Sequence, residues 1–257
     1  MHYIVLKEIK VILFWSSKSG SSSIKTMLLE YFNLSLESVH RNEVLNEKID
    51  NLKDLHNHKL YTDYTKYLIC RSPYDRLVSA FLNKYVGNIY KNPEKCHNFQ
   101  DFVRILYKDF LKYMEDRKKL SNLNTKNQEQ VRFHLKHNNV YNNNHFKPQT
   151  SGNGWTMYNK LGRPKFDYIY DTAEVSSIRN VLKLDKQTTY HCRPHDKNNR
   201  SENNIVWNNQ RVELLDYSVL SNYTIPYDLF YNTELREKVY SIYESDFIFL
   251  KSIGKKY

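Results

Sequence analysis

The sequence predicts an α/β fold in which a mostly parallel central sheet is flanked by helices. Three apolar runs carry that expectation: Val11–Trp15, Lys66–Cys70 and Phe166–Tyr170. Each is followed by a segment with helical spacing, and strands alternating with helices imply parallel strands covered on both faces. At 257 residues the chain suits one large domain, residues 1–257. A chain of that length buries roughly three quarters of its unfolded surface and needs no disulfide staples.

Val11–Trp15 reads as a buried central strand. The apolar segment before it is interrupted by Lys7, Glu8 and Lys10, so it is too short and too charged for a membrane span or a signal peptide. After the small-residue run Lys18-Ser19-Gly20-Ser21-Ser22-Ser23, the positions Ile24, Met27, Leu28 and Tyr31 make one apolar helix face. Residues 33–60 are polar and mixed, a helix and loop crossing the sheet. Lys66–Cys70 is the second strand, ended by Arg71-Ser72-Pro73. Pro73 fits the first turn of the next helix, with Ser72 as its cap. Val78, Phe81, Leu82 and Tyr85 form the buried stripe of that helix, which leaves Asp75, Arg76, Ser79 and Asn83 on its polar side.

Phe99, Phe102, Val103, Leu106 and Phe110 mark another amphipathic helix. Residues 115–145 are polar, helix-prone and Asn-rich at their ends, and read as a helical and loop insertion over a cleft. Phe166–Tyr170 is the third strand and Ala173–Leu184 its following helix. Residues 185–212 read as a long polar loop, and Thr233–Tyr243 as a last helix carrying Leu235, Val239 and Ile242.

The chain has 39 Lys and Arg against 28 Asp and Glu, a formal charge of +11. That charge fits an electropositive cleft for an anionic ligand. It also fits plain compositional bias, since Asn, Lys and Tyr are all abundant, and both readings stand. Lys112, Arg117, Lys118 and Lys119 form one basic run and Lys126, Arg132 and Lys136 another; each is equally a solvated helix face. The cysteines are Cys70, Cys96 and Cys192, an odd number at wide spacing that indicates no disulfide framework. Cys192 and His195 make a C-x-x-H pair with no second pair of ligands nearby, so no metal site is expected. Sequons at Asn33, Asn199 and Asn222 are what an Asn-rich chain yields by chance.

Strand, small-residue loop and helix start together point backbone N–H groups and the positive end of a helix dipole at one spot, which suits an anion. A Walker A loop places its Lys after the last Gly, whereas Lys18 comes first here and the serines follow. That order argues against an ATPase. Arg71 lies at the carboxyl end of a strand, where parallel α/β sheets bind ligands. Arg71 and Ser79 converging on one phosphate would give charge-assisted hydrogen bonds. Taken alone, they are also a strand-end Arg in a structural pair and a solvent-facing Ser.

The two blocks together resemble the sulfotransferases that use 3′-phosphoadenosine 5′-phosphosulfate (PAPS), especially the Golgi carbohydrate sulfotransferases of the chondroitin/dermatan, HNK-1 and heparan/uronyl 2-O groups. Lys18–Ser23 is similar to their 5′-phosphosulfate loop. Arg71-Ser72-Pro73-Tyr74-Asp75-Arg76-Leu77-Val78-Ser79-Ala80 resembles their 3′-phosphate motif. His145-Phe146-Lys147-Pro148-Gln149 resembles their H-[WF]-x-P-Q element, Phe166–Glu174 their "FDFIGKFE" strand and turn, and Tyr243-Glu244-Ser245-Asp246-Phe247 their closing Y-x-x-D-F.

The resemblance implies a P-loop-like sheet and roles for single residues. Lys18 would sit by the oxygen bridging phosphate and sulfate and stabilise charge on the departing nucleotide. Ser19, Gly20, Ser21, Ser22 and Ser23 would hold the 5′-phosphate, and Arg71 and Ser79 the 3′-phosphate. No metal is implied. Catalysis would then be mostly positioning and electrostatic stabilisation. The base for the acceptor hydroxyl is left open between His58, His145 and another residue, Glu174 among them. His56-Asn57-His58 is similar to the H-x-H of the 2-O-sulfotransferases, although the 13 positions from His58 to Arg71 are fewer than that group leads one to expect. The implied acceptor is a carbohydrate, one carrying acidic groups being drawn to the basic surface.

Two other readings are kept. One is a nucleotide or sugar kinase with a degenerate phosphate loop. The other is a basic nucleic-acid-binding protein, which the 22 tyrosines permit but do not gather into one stacking platform. The expected protein is soluble and cytoplasmic, of bacterial or viral type, without a membrane span; a fragment of a longer chain would belong in the Golgi lumen.

Overall fold

The run Val11–Trp15 is fully buried and forms the second strand of a four-stranded sheet in the computed structural model, which describes residues 1–36, 39, 41–86, 96–120, 145–184, 210–220 and 225–257. In chain order the elements are β1 (His2–Leu6), β2 (Val11–Trp15), α1 (Ser21–Tyr31), α2 (Glu43–Lys48), α3 (Leu52–His56), β3 (Thr65–Cys70), α4 (Pro73–Phe81), α5 (Phe99–Leu120), α6 (Gly152–Lys160), β4 (Tyr168–Asp171), α7 (Ile178–Val181), α8 (Tyr217–Leu220) and α9 (Thr233–Ser252). They divide into two units. One comprises Met1–Ser72, Pro148–Pro194 and Ile248–Tyr257, and the other Pro73–Lys147 and His195–Phe247.

The first unit contains the sheet, in the order β1-β2-β3-β4. β2 pairs with β3 in parallel, Val11 opposite Thr65 and Trp15 opposite Ile69, and β3 pairs with β4 in parallel, Cys70 opposite Asp171. The expected α/β class and mostly parallel sheet are therefore present. β1 is an addition that the charged residues Lys7, Glu8 and Lys10 conceal. Those residues form the hairpin corner, a 3₁₀ turn at Lys7–Ile9 and a left-handed Lys10, which folds β1 back antiparallel on β2 with His2 opposite Trp15.

Side-chain alternation sorts the strands onto two faces. Tyr3, Val5, Ile12, Phe14 and Leu68 pack with Met157 and Tyr158 of α6, Phe166, Phe249 and Leu250. Ile4, Leu6, Leu13, Trp15 and Ile69 pack with Ile24, Leu28 and Leu29 of α1 and with Ile178. β2 is thus covered on both sides, which is why its sequence is a continuous apolar run. α6 approaches β1 closely: the Gly154 amide donates to the Met1 carbonyl at 3.0 Å, and a Cβ there would stand 2.6 Å from the His2 oxygen.

The helix expected over Ala173–Leu184 is shorter in the structure. A 3₁₀ turn, Thr172–Ser177, comes first and α7 adds only one turn. The 3₁₀ turn opens on a capping box in which the Asp171 carboxylate accepts from the N3 amide and Glu174 accepts from the Asp171 amide. Residues 33–60 form α2 and α3, with Asn42 and Asn51 capping them through their side chains.

The second unit packs Leu77, Val78 and Phe81 of α4 with Phe99, Phe102, Phe146, Phe230, Leu235, Val239 and Tyr243. Here the reading of α4 needs correction. Arg76 and Ser79, expected on a polar face, are both buried, Arg76 with 1% exposure. Arg76 lies over the Tyr243 ring, donates to the carbonyls of His145 at 3.3 Å and Lys147 at 2.7 Å, and stands 3.8 Å from the Asp246 carboxylate. Partners so distant in sequence turn a polar position into a core one. The last helix runs beyond the expected Thr233–Tyr243, to Ser252, with a non-helical Tyr243 (φ −114°, ψ 22°) where the sequence pattern stops.

α5 ends at Leu120; most of the expected insertion, residues 121–144, lies outside the described residues, as do 185–209 with Cys192, His195 and Asn199, Asn222, and the basic run Lys126, Arg132, Lys136. No helix among the described residues is long and apolar enough to cross a membrane.

Candidate active site

Parallel pairing brings the ends of β2, β3 and β4 to one edge of the sheet, so Ser16, Arg71 and Thr172 begin the segments that leave it. The loop after β2 is a tight turn. The Ser19 amide donates to the Ser16 carbonyl at 3.1 Å, and Lys18 (φ +68°) and Gly20 (φ +76°) are left-handed. Gly20 is the N-cap of α1. No side chain caps the helix and its first turn holds no acidic residue, while Ser21, Ser22 and Ser23 are its first three residues. A helix start with this make-up favours an anion through its N–H groups and its dipole.

Inside the loop the serines differ. Ser16 Oγ lies 3.0 Å from Gln149 Oε1, which can only accept, and 2.7 Å from Ser19 Oγ. Ser16 therefore donates to Gln149 and Ser19 donates to Ser16. Ser19, expected among the nucleotide's partners, is fully buried, and its side chain fixes the turn. Ser21, Ser22 and Ser23 are half-buried at the helix start.

Gln149 ties this loop to β3. Its Nε2 donates to the Arg71 carbonyl at 2.9 Å, and its Oε1 accepts from the Arg71 amide at 3.4 Å as well as from Ser16. Arg71 returns the contact: its Nη1 donates to the Lys18 carbonyl at 3.0 Å. The structure thus brings Lys18, Gly20 and Arg71 together around one turn. Gln149 had no role in the sequence reading, although it sits in the H-F-x-P-Q element; that element was the available signal.

The turn after β4 backs the loop. A Cβ on Gly20 would meet Val175 Cγ2 at 3.0 Å. The turn is anchored in its own right, because Asp171 accepts from Lys255 at 2.7 Å and from the Tyr257 hydroxyl at 2.6 Å. Burial raises the Asp171 carboxyl, but the Lys255 and Tyr257 hydrogen bonds and the Lys255 charge outweigh it and hold the group below its ordinary value. Beside them the Cys70 thiol is pushed up to about 11, chiefly by burial, and stays protonated at neutral pH. Gly20→Ala is expected to lower stability by about 1–2 kcal/mol, the cost of a left-handed non-glycine residue, with Val175 adding to it. Chemical denaturation reads this directly, and an unchanged midpoint would show that the turn relaxes.

The proposed bases fall differently. His58 opens a 3₁₀ turn and its Nδ1 lies 3.3 Å from the Leu55 carbonyl. The following chain reaches β3 where the Thr65 amide donates to the Lys10 carbonyl, just before β2 begins. His58 thus lies on the segment that leads into the start of β3, with its ring turned to the Leu55 carbonyl. His145 and Ser79 belong to the second unit. The carbonyls of His145, Phe146 and Lys147 are held there by Arg76 and by the Tyr243 hydroxyl, which donates to Phe146 at 2.6 Å. Three of the sequence motifs thus meet in one buried knot: Arg76, residues 145–147, and Tyr243 with Asp246.

Among the described residues no group of three or more His, Cys, Asp and Glu side chains gathers as for a metal ion. A sequence model of the Sulfotransferase family matches residues 1–251. No curated protein and no solved structure gives a significant match.

Proposed function

The chain belongs to the sulfotransferase family, and from that premise we propose that it moves the sulfuryl group of PAPS to a hydroxyl of a carbohydrate. The observation that carries this reading is the pairing at the carboxyl edge of the sheet. A left-handed Lys18–Gly20 turn opens α1, and the Arg71 guanidinium from β3 lies on that turn, 3.0 Å from the Lys18 carbonyl. The donor set suits a nucleotide with charge at both its 5′ and 3′ positions: backbone N–H groups and serine hydroxyls for one, a guanidinium for the other.

PAPS supplies a sulfuryl group on a phosphate leaving group. Gly20 and Ser21–Ser23 hold the 5′-phosphate, Arg71 holds the 3′-phosphate, and Lys18 stabilises the charge that grows on the departing oxygen. Gln149 keeps the loop and the Arg71 backbone in register. The formal charge of +11 supports an acceptor that itself carries acidic groups.

Calorimetric titration with 3′,5′-adenosine bisphosphate, ATP and a mixed oligonucleotide tests the reading, without magnesium. Tight binding of the bisphosphate alone is expected. Preference for magnesium-ATP would favour a kinase, and preference for the oligonucleotide a nucleic-acid-binding protein. Arg71→Ala should weaken the bisphosphate by about 1.5–3 kcal/mol, the scale of a hydrogen bond to a charged group. An unchanged affinity would remove Arg71 from the 3′-phosphate.

A further inference from the structure

One histidine stands beside the loop that no motif marked. His2 opens β1, opposite Trp15 at the end of β2, and its ring lies 5.8 Å from the Trp15 ring. Its Nδ1 is 2.7 Å from Asp50 Oδ2, and its Nε2 is 3.4 Å from Ser17 Oγ, the residue before Lys18. Asp50 is itself fixed: its Oδ1 accepts from the Tyr3 amide at 2.9 Å, and its amide donates to the Tyr3 carbonyl at 2.9 Å. All of these residues lie in the first unit.

We infer that His2, oriented by Asp50, is the base that takes the proton of the acceptor hydroxyl. The inference rests on the sulfuryl-transfer reading above. A carboxylate on Nδ1 selects the tautomer with its proton there, which leaves the Nε2 lone pair toward the loop. Ser17 Oγ occupies the position from which a hydroxyl donates to that lone pair. The imidazole is a third exposed, so an acceptor hydroxyl can reach it. Sheet order adds direction. Arg71 follows β3 and His2 belongs to β1, so the two flank the Ser16–Ser23 loop on opposite sides of β2.

The step balances without a further reactant. The acceptor oxygen bonds to sulfur while the bond from sulfur to the bridging oxygen breaks. That electron pair stays on the 5′-phosphate beside Lys18, and the acceptor proton passes to His2 Nε2. Asp50 then faces an imidazolium and stabilises it. The other charged or titratable groups around the pair are Lys18 of the loop, Lys25 of α1, which acts on Asp50 and is lowered by burial, the Met1 amino group, which donates to the Ser151 carbonyl, and Tyr3, whose hydroxyl donates to the Asn51 carbonyl.

The test uses the full chain with His2→Gln and Asp50→Asn. Nitrogen NMR of the free protein, labelled at histidine, should show a ring protonated at Nδ1 that is absent in His2→Gln and redistributes its proton in Asp50→Asn. Single-turnover rates with PAPS and an accepting glycan should fall about 10²–10⁴-fold in His2→Gln, the scale of a general base, and the acid limb of the pH–rate profile should vanish. Affinity for the bisphosphate should be unchanged. Full activity of His2→Gln with its acid limb intact would overturn the assignment, and so would an Nε2-protonated ring in the wild type. If the wild type binds no bisphosphate at all, the donor reading itself has failed, and that result is read before any variant is made.

Discussion

Lys18→Ala is expected to slow sulfuryl transfer about 10²–10³-fold, as removal of one preorganised charge-stabilising group does, while affinity for the bisphosphate changes little. The split follows from where charge develops. In the proposed complex the phosphates would already be held in the ground state by the α1 N–H groups, the serines and Arg71, whereas the bridging oxygen would gain charge only as the bond to sulfur breaks. The backbone supplies a control. Lys18 sits at φ +68°, a conformation that costs a non-glycine residue about 1–2 kcal/mol. Alanine keeps that strain and glycine relieves it, so Lys18→Gly should be the more stable of the two variants. If the ammonium is what matters, both are equally slow. If loop strain sets the rate, they separate, and Lys18→Gly departs from Lys18→Ala. Single-turnover kinetics with enzyme in excess, beside a denaturant series, distinguish these outcomes, and a normal rate in both variants would take Lys18 out of the chemistry.

Much of this loop was legible because its signals are local. An apolar run, a Lys, a Gly and three serines in order specify a strand, a left-handed turn and a helix start, and the structure has β2, a Lys18–Gly20 turn and α1 there. β3 and β4 were legible for the same reason, each within two residues of its expected start. What failed was whatever depends on a distant partner. β1 was hidden by charges that belong to its hairpin corner. Ser19 reads as a phosphate ligand until Ser16 and Gln149 claim its neighbourhood. His2 carried no signal at all, since the Asp50 that orients it is separated from it by α1 and α2 and is brought alongside only by pairing with the Tyr3 backbone. The motifs themselves proved partly architectural, and Arg76 is the sharpest instance.

Arg76→Ala is expected to destabilise the protein by about 3–5 kcal/mol, the range for breaking a buried pair from one side. That is a large part of a typical total of about 5–15 kcal/mol. The geometry says which contacts dominate. Arg76 and Asp246 are buried, with 1% and 0% exposure, but their closest approach is 3.8 Å, too long for a hydrogen bond, whereas Nη2 reaches the Lys147 carbonyl at 2.7 Å. The guanidinium acts chiefly as a donor to the backbone of residues 145–147, with Asp246 balancing its charge. Two consequences separate this view from a simple ion pair. Asp246→Asn should cost less than Arg76→Ala, because an amide there leaves the carbonyl contacts in place. The apolar double variant Arg76→Met with Asp246→Leu, which rescues many buried ion pairs, should here stay destabilised, because the His145 and Lys147 carbonyls lose their donor at about 1–3 kcal/mol for each buried group left unsatisfied. Urea denaturation of the four proteins measures all of this, and full recovery in the double variant would mean that the carbonyl contacts contribute little. A second readout is functional: residues 145–147 run directly into Pro148-Gln149, and Gln149 holds the Ser16–Ser23 loop to the Arg71 backbone. Arg76→Lys keeps the charge but cannot reproduce a planar two-carbonyl grip, so it should weaken bisphosphate binding by slackening the segment that leads to Gln149, even where most of the stability is retained.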